Sequence, residues 1–355
     1  MSKRSELHNP KLDIVRCFAL FCVIGVHFFL NTGFYDVTIV GIGMYFLVLV
    51  RNFFMICVPL FLILSGYLLK NKEVSTSYYL RIIPILGVYL LASFVCSLYR
   101  FVFLPEEFSV TSTIAGLFGY YAAPYGWYIE MYIGLFLLIP FLNILYKHIP
   151  TKKFKRVFIL SLVLLSGGSS LVNDFFPLFP GYWTCIYPIT FYFIGCYLAE
   201  YPIKLKPLFN LVLIAVAFLI SGSVSYFFSY GSVFQYGQWQ EHYSILTTLQ
   251  TVLVFTFIMQ GNCSRISTKI SKILSYVSNC CLGAYLVSWV FDSIFYGLLN
   301  SYQPTVFDKA KFFVPVTIAV YICSLILSAV LNGVYKLTIG RIVHRLLRTQ
   351  KATAV

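Results

Sequence analysis

Charged residues are scarce in this sequence of 355 residues, of which Asp, Glu, Lys and Arg make up only 11%. A soluble globular chain carries about 25% charged residues, so the composition excludes that class. Hydrophobic residues make up 59% of the chain and aromatic residues 19%. They form runs of the roughly 18 to 20 residues that cross a bilayer. The sequence therefore predicts an all-α, polytopic integral membrane protein that has the lipid bilayer as its first partner.

Spaced cysteine pairs and internal repeats are also missing. Most of the ten cysteines lie inside apolar runs, and Cys280 and Cys281 are adjacent instead of spaced as CxxC. We interpret them as buried packing residues, and we predict no metal site. No repeat of fixed period and no low-complexity segment is visible. Their absence disfavours a transporter built from inverted repeats.

Basic residues outnumber acidic ones, 26 to 12, and give a net charge of +14. They form no recognisable nucleic-acid module, so we predict no nucleic-acid partner. If the N-terminus is cytoplasmic, most of them fall on that side of the spans, as the positive-inside rule requires. We therefore expect both termini in the cytoplasm, with residues 1–11 and the basic tail 339–355, and one membrane domain over 1–355. About ten spans are predicted, at approximately 12–30, 42–69, 82–99, 127–146, 157–173, 182–200, 208–228, 244–260, 273–298 and 312–338.

The first span, LDIVRCFALFCVIGVHFFL, carries three ionisable residues: Asp13, Arg16 and His27. Eleven helical steps of about 100° return to within roughly 20° of the starting direction, so Arg16 and His27 share one face. Asp13 precedes Arg16 by three residues and lies on the same side. The rise of a helix separates Arg16 from His27 by roughly 16 Å. One long ligand could contact both residues.

Other ionisable residues are predicted at the depth of His27, toward the non-cytoplasmic side: Arg51, Glu130 and Asp292. Ionisable groups within spans mark functional sites by default. The alternatives are structural. Arg16 would then extend to the cytoplasmic surface beside Asp13, His27 would be a hydrogen-bonded core histidine, and Glu130 and Asp292 would be counter-charges for Arg51.

Two further groups lie near the non-cytoplasmic face. Trp127 and Tyr128 begin the fourth span, where they are either interfacial anchors or a platform for an acceptor sugar. Glu241 and His242 lie beside Trp239 in a predicted outer loop. We expect this loop to be solvated, with contact to a soluble acceptor as the alternative.

The motifs in these spans resemble those of membrane acyltransferase family 3, which includes bacterial surface-polysaccharide O-acyltransferases. The first span is similar to that family's LDxLR beginning and R-x10-H spacing, with Arg16 and His27 in the key places. Further matches follow in the expected order: VPLFLILSGYLL (58–69), LRIIPIL with Arg81 and Pro84, WYIEMYIGLFLLIP (127–140), FYFIGCYLA (191–199) and LGAYLVSW (282–289). The resemblance covers essentially the whole chain.

Two departures from the family pattern stand out. The late YLIHP motif is replaced, so that Ser288 stands where the family often has a second histidine. The cytoplasmic RxxR pattern is retained only as Tyr78 and Arg81, and Lys70 and Lys72 are the substitute phosphate contacts that we predict.

The resemblance implies a membrane-bound O-acyltransferase of the bacterial plasma membrane. Its donor would be cytoplasmic acetyl-CoA or another acyl-CoA, and its acceptor a hydroxyl of a cell-envelope polysaccharide or lipid-linked sugar. Arg16, with Arg81, Lys70 and Lys72, would hold the phosphates of the donor. His27 would act as general base or take the acyl group itself.

Supporting roles follow for the remaining residues. Glu130 would orient His27, Arg51 or a tyrosine hydroxyl would stabilise the oxyanion, and Asp13, Trp127, Tyr128, Asp292 and Ser288 would support the site or the substrates. The alternative function is a transporter or flippase for a sugar or lipid intermediate, with the same buried charges as its substrate or proton path. A non-catalytic partner in a polysaccharide assembly complex is the third possibility.

Overall fold

The computed structural model describes residues 9–173, 175–263, 266–338 and 340–341. These residues form an α-helical fold, as predicted, without any β-strand. Two isolated bridges pair Thr38 with Val233 and Ile39 with Tyr230. Most of the expected cytoplasmic N-terminus (1–8) and of the expected basic tail (342–355) lie outside the described residues.

The longer helices of the described ranges begin and end at defined residues. They are α1 (Pro10–Asn31), α2 (Gly41–Phe54), α3 (Cys57–Leu69), α4 (Ile82–Phe103), α5 (Trp127–His148), α6 (Lys152–Gly167), α7 (Tyr187–Glu200), α8 (Pro207–Ser229), α9 (Ile245–Gln260), α10 (Thr268–Tyr302) and α11 (Phe313–Leu337). Shorter helices lie between them: Thr76–Tyr79, Val110–Phe118, Ser169–Val172 and Val306–Ala310.

The apolar helices confirm a polytopic membrane protein. Within the described residues, seven helical segments are long and apolar enough to cross a membrane: Pro10–Asn31, Gly41–Leu69, Thr76–Phe103, Trp127–His148, Pro207–Ser229, Thr268–Tyr302 and Phe313–Leu337. The other three predicted spans correspond to α6, α7 and α9, which have 16, 14 and 16 residues. At about 1.5 Å per residue, such helices fall short of the roughly 30 Å of hydrocarbon. The count of ten spans therefore stays a prediction.

The second predicted span is broken near its middle, where α2 ends at Phe54 and α3 begins at Cys57. Pro59 lies in the first turn of α3, where a missing N–H disturbs a helix least. In a continuous helix, the N–H of residue 59 would donate to the carbonyl of Met55. Proline has no N–H, so the Met55 carbonyl is left for another donor.

The described chain divides into two compact units that alternate along the sequence. The first comprises the described residues of Met1–Lys70, Leu145–Asn279 and Thr305–Ala310, and the second comprises the described residues of Asn71–Ile144, Cys280–Pro304 and Lys311–Val355.

Two glycines bring α3 and α7 into backbone contact within the first unit. A Cβ atom on Gly66 would overlap the carbonyl oxygen of Tyr192, and one on Gly195 would overlap that of Ile63. The thiol of Cys196 lies 3.5 Å from the Gly66 carbonyl oxygen. Small residues at helix interfaces allow such approaches in membrane proteins. This contact explains why both apolar motifs, SGYLL and FIGCYLA, contain glycine.

In the second unit, Tyr78 joins the short helix Thr76–Tyr79 to α5. Its hydroxyl donates to the carbonyl of Phe136 at 2.6 Å, and the two rings stack with centroids 4.5 Å apart. The helices α4 and α11 also pack together in this unit. Gly283 of α10 lies against Ser328 of α11.

The α3–α7 contact predicts the effect of enlarging either glycine. We expect Gly66→Ala or Gly195→Ala to destabilise the protein by about 1–3 kcal/mol, because the added methyl group has no space and must push the backbones apart. Gly134→Ala is the matched control, since a Cβ atom on Gly134 in α5 would have no neighbouring atom within 4 Å. Thermal melting in detergent measures the effect. Equal melting temperatures for Gly66→Ala and Gly134→Ala would contradict this packing.

Candidate active site

Arg16 is held in place at the start of α1. Its Nη1 donates to the hydroxyl of Ser278 in the first part of α10, and the same atom lies 3.5 Å from Oδ1 of the buried Asp13. Lys11, in the same helix, makes a second hydrogen bond to a neighbouring helix: its Nζ donates to the carbonyl of Met259 in α9 at 2.9 Å. The Arg16 side chain remains 28% exposed. A guanidinium has five N–H donors, so donors remain for a ligand.

His27 lies near the other end of α1 and is buried, with 8% of its surface exposed. Its carbonyl accepts a hydrogen bond from Nδ2 of Asn31 at 2.7 Å. The end of the helix is fixed by Lys309, whose Nζ donates to the carbonyl of Thr32 at 3.0 Å. Since α1 is continuous from Pro10 to Asn31, Arg16 and His27 share one face, roughly 16 Å apart along the axis.

Arg51 is buried near the end of α2, and its bonds within the first unit go to neutral groups. Its Nε donates to the hydroxyl of Tyr35 at 3.1 Å, and its Nη1 donates to Oδ1 of Asn52 at 3.2 Å and to Oε1 of Gln240 at 2.8 Å. Tyr35 and Gln240 were not predicted as site residues. No local pattern identifies Gln240, which lies 189 residues from Arg51 in the chain.

The expectation of a solvated loop was wrong at Glu241 and His242, which are both half-buried. Nδ1 of His242 lies 3.0 Å from the Met55 carbonyl oxygen, the group that Pro59 leaves without a helical donor. A carbonyl only accepts, so Nδ1 carries the proton and Nε2 is the basic nitrogen. Burial lowers the pKa of His242 to about 4. Burial also raises the pKa of Glu241, and the charge of Arg51 opposes that rise.

In the second unit, the predicted residues Asp292 and Ser288 both lie in the packed part of α10. Asp292 is fully buried, and its Oδ2 accepts a hydrogen bond from the Tyr125 hydroxyl at 2.8 Å. Tyr285 donates in turn to the carbonyl of Tyr125. The Ser288 hydroxyl donates to the carbonyl of Tyr285 at 2.9 Å. Nothing in this arrangement gives Ser288 the role of the second family histidine.

The remaining predicted residues of the second unit lie at the start of α5. Trp127 is 41% exposed, and Tyr128 is buried. Exposure of the indole suits an interfacial anchor. Glu130 is exposed. Its pairing with His27 stays a prediction.

A polar cleft of about 250 Å³ lies in the second unit. Its lining includes Lys72 and Arg81, two of the residues predicted to contact the phosphates of the acyl donor. It is lined by Asn71, Lys72, Glu73, Val74, Ser75, Ser77, Tyr78 and Arg81. Asn143 of α5 donates to the carbonyl of Lys72 at 2.7 Å, which fixes the chain at one edge. Cationic and hydroxyl groups together suit phosphate oxygens. Lys70 is half-buried at the end of α3, in the first unit.

The described residues contain no group of three or more His, Cys, Asp or Glu that could hold a metal ion. The ten cysteines are free thiols.

These apolar helices define a multi-pass membrane protein. The acyltransferase 3 family, described as an acyltransferase domain, matches residues 9–333. The chain belongs to that family, which confirms the resemblance and makes acyl transfer its general activity. Comparisons with curated proteins and with solved structures found no match.

The lowered pKa of the half-buried His242 leads us to expect a loss of stability in mild acid. Its pKa is about 4 in the folded protein, below the ordinary 6.5, so the unfolded chain binds more protons between these values. Stability then falls as the pH drops below about 7, by about 2 kcal/mol at pH 5 from this group.

The variant His242→Asn isolates this effect, because its amide can still donate to the Met55 carbonyl but cannot titrate. Melting temperatures in detergent at pH 7.5 and pH 5 measure it. We expect a smaller drop in the variant than in the wild type. An equal drop in both would show that His242 does not become charged on unfolding.

Proposed function

We propose that this protein is a membrane-bound O-acyltransferase that moves an acyl group, acetyl in the first instance, from cytoplasmic acyl-CoA to a sugar hydroxyl. The acceptor would be a polysaccharide or lipid-linked sugar of the bacterial cell envelope, and the protein would lie in the plasma membrane with both termini cytoplasmic. One observation carries the proposal: in a chain of the acyltransferase 3 family, an anchored Arg16 and a buried His27 share one face of α1.

The spacing of these two residues suits the shape of coenzyme A. That molecule has anionic phosphates at one end and a thioester at the end of a long, thin arm. Arg16 can offer a planar fork of donors to phosphate, which lysine cannot. About 16 Å further along the helix, His27 would meet the acyl group.

The polar cleft of the second unit is an additional candidate for donor phosphates. Lys72 and Arg81 place two cations on its lining, and the hydroxyls of Ser75 and Ser77 add polar contacts. A single carboxylate, Glu73, lines it as well. The excess of positive charge supports an anionic ligand.

His27 has two possible roles in the transfer. As a general base, its imidazole would take the proton of the acceptor hydroxyl while the oxygen attacks the thioester carbonyl. The new C–O bond forms, the C–S bond breaks, and the thiolate of coenzyme A takes up the proton. As a nucleophile, the imidazole would first accept the acyl group and release the thiolate. The acceptor hydroxyl would then displace the imidazole, and its proton would pass to the thiolate.

Loss of the imidazole tests this assignment. We expect His27→Ala to lower acyl transfer by about 100-fold or more, because either role requires the ring nitrogen. The measurement is the transfer of labelled acetyl from acetyl-CoA to envelope glycans in membranes that contain the protein. His148→Ala, which removes an exposed histidine of α5, is the matched control and should retain full activity.

Two outcomes would count against the proposal. Full transfer by a folded His27→Ala variant would contradict the role of His27. No transfer by the wild type, together with uptake or flipping of a labelled lipid-linked sugar, would favour the transporter alternative.

A further inference from the structure

Arg51 is an unusually placed cation. It is 4% exposed, and in the described part of the first unit no carboxylate lies within ion-pair distance of it. A buried charge is costly unless it is paired or strongly hydrogen-bonded. The groups around Arg51 therefore decide whether its charge is neutralised by an ion pair or the guanidinium is only oriented by neutral hydrogen-bond acceptors.

The amide of Asn52 is oriented by α8. Its Nδ2 donates to the Ser221 carbonyl at 3.0 Å and to the Ser225 hydroxyl at 2.6 Å. Both amide hydrogens thus point toward α8, so Oδ1 is the atom left to accept from Arg51. The orientation of this contact is set before any ligand binds.

Gln240 is oriented in the same way by its own loop. Its Nε2 donates to the carbonyl of Gln235, so Oε1 faces Nη1 of Arg51. The Tyr35 hydroxyl accepts from Nε. These three neutral acceptors use Nε and Nη1, and Nη2 has no hydrogen bond to the described residues of the first unit.

Aromatic rings surround the guanidinium without neutralising it. Cζ of Arg51 lies 4.9 Å from the ring centre of Phe234 and 5.9 Å from the ring centre of Tyr35. Tyr35 stacks on Tyr236, with centroids 5.1 Å apart. Cation–π contacts stabilise a cation by about 0.5–2 kcal/mol and leave its charge in place.

The titratable groups of the neighbouring loop do not cancel the charge either. Within the described first unit, Glu241 is close enough for the charge of Arg51 to oppose the rise of its pKa, but it makes no ion pair with Arg51. His242 is neutral because its pKa is about 4. Beside them, the indole N–H of Trp239 is buried and has no hydrogen-bond partner among the described residues. The loop therefore contains a second donor that lacks an acceptor.

Arg51 also lies close to the level of His27 along the helices. A Cβ atom on Gly25 of α1 would lie 2.9 Å from Cγ of Phe54 of α2. The two helices belong to consecutive candidate membrane spans, and consecutive spans cross a bilayer in opposite directions. His27 is about 3 Å beyond this contact and Arg51 about 4.5 Å, both toward the same end.

We propose that Arg51 binds an anionic group, a carboxylate or a phosphate, on the acceptor sugar. Neutral acceptors hold the guanidinium in one orientation, no described carboxylate of the first unit cancels its charge, and Nη2 and the Trp239 indole still lack acceptors there. The identification of the ligand as the acceptor rests on the proposed function. Binding of the anion by Arg51 does not require that any transfer takes place.

The test measures the binding of small probes to the purified protein in detergent, in the absence of acyl-CoA. Methyl glucuronide carries a carboxylate, methyl glucoside is its neutral counterpart, and inorganic phosphate represents the phosphate arm. The variants are Arg51→Gln and Arg51→Lys. Arg100→Gln is the control, since Arg100 stacks over Trp289 in the second unit.

We expect the wild type and Arg100→Gln to bind at least one anion about 10-fold more tightly than methyl glucoside. A ratio of about this size corresponds to the free energy of one charge-assisted hydrogen bond. Arg51→Gln should lose this preference. Arg51→Lys should retain part of it, and it remains informative if Arg51→Gln does not fold. Whichever anion binds more tightly identifies the group on the acceptor.

Two results would overturn the proposal: unchanged anion binding in both Arg51 variants, or no preference for either anion in the wild type. Binding of acetyl-CoA to each variant is measured in parallel. Failure of the wild type to bind acetyl-CoA would count against the proposed function, whereas the result for Arg51 would stand independently of it.

Discussion

A polar group within an apolar helix must find its partner inside the protein, because hydrocarbon offers none. This constraint accounts for the local structure around Arg16 and Arg51 in the first unit. Arg16 is held by Asp13 and Ser278, and Arg51 is held by the side chains of Tyr35, Asn52 and Gln240. The two arginines differ in one respect: the first has a carboxylate beside it, whereas the second has only neutral partners in the described part of its unit. The charge at the His27 end of α1 is consequently positioned without being cancelled.

The same constraint applies to the backbone. Pro59 has no N–H to donate to the Met55 carbonyl, and His242 supplies the missing donor at 3.0 Å. This bond fixes the tautomer of His242 and holds the loop against the break between α2 and α3. Where all backbone groups are hydrogen-bonded within helices, the distance between two helices is limited by the size of the side chains between them. Gly66 and Gly195 allow α3 and α7 to touch, and this contact is what the two glycine-containing motifs encode.

The features that depend on one helix were predictable from the sequence, and the features that depend on distant segments were not. The helical period alone places Arg16 and His27 on one face, and the apolar runs predict a helical membrane protein. The bounds of the helices were harder to predict: α7 begins at Tyr187 and not at residue 182, and α6 begins at Lys152 and not at residue 157. Gln240 meets Arg51 across 189 residues, and no local pattern reports that contact. The loop around His242 was predicted to be solvated, whereas Pro59, far away in the sequence, leaves the Met55 carbonyl that His242 contacts.

In the proposed function, the acyl donor lies along α1 with its phosphates at Arg16 and its acyl group at His27. A cryo-electron microscopy structure with a non-hydrolysable acetyl-CoA analogue would show this direction. We expect phosphate density beside the Arg16 guanidinium and the acyl carbonyl beside the His27 imidazole. An analogue bound in the reverse direction, or away from α1 altogether, would contradict it.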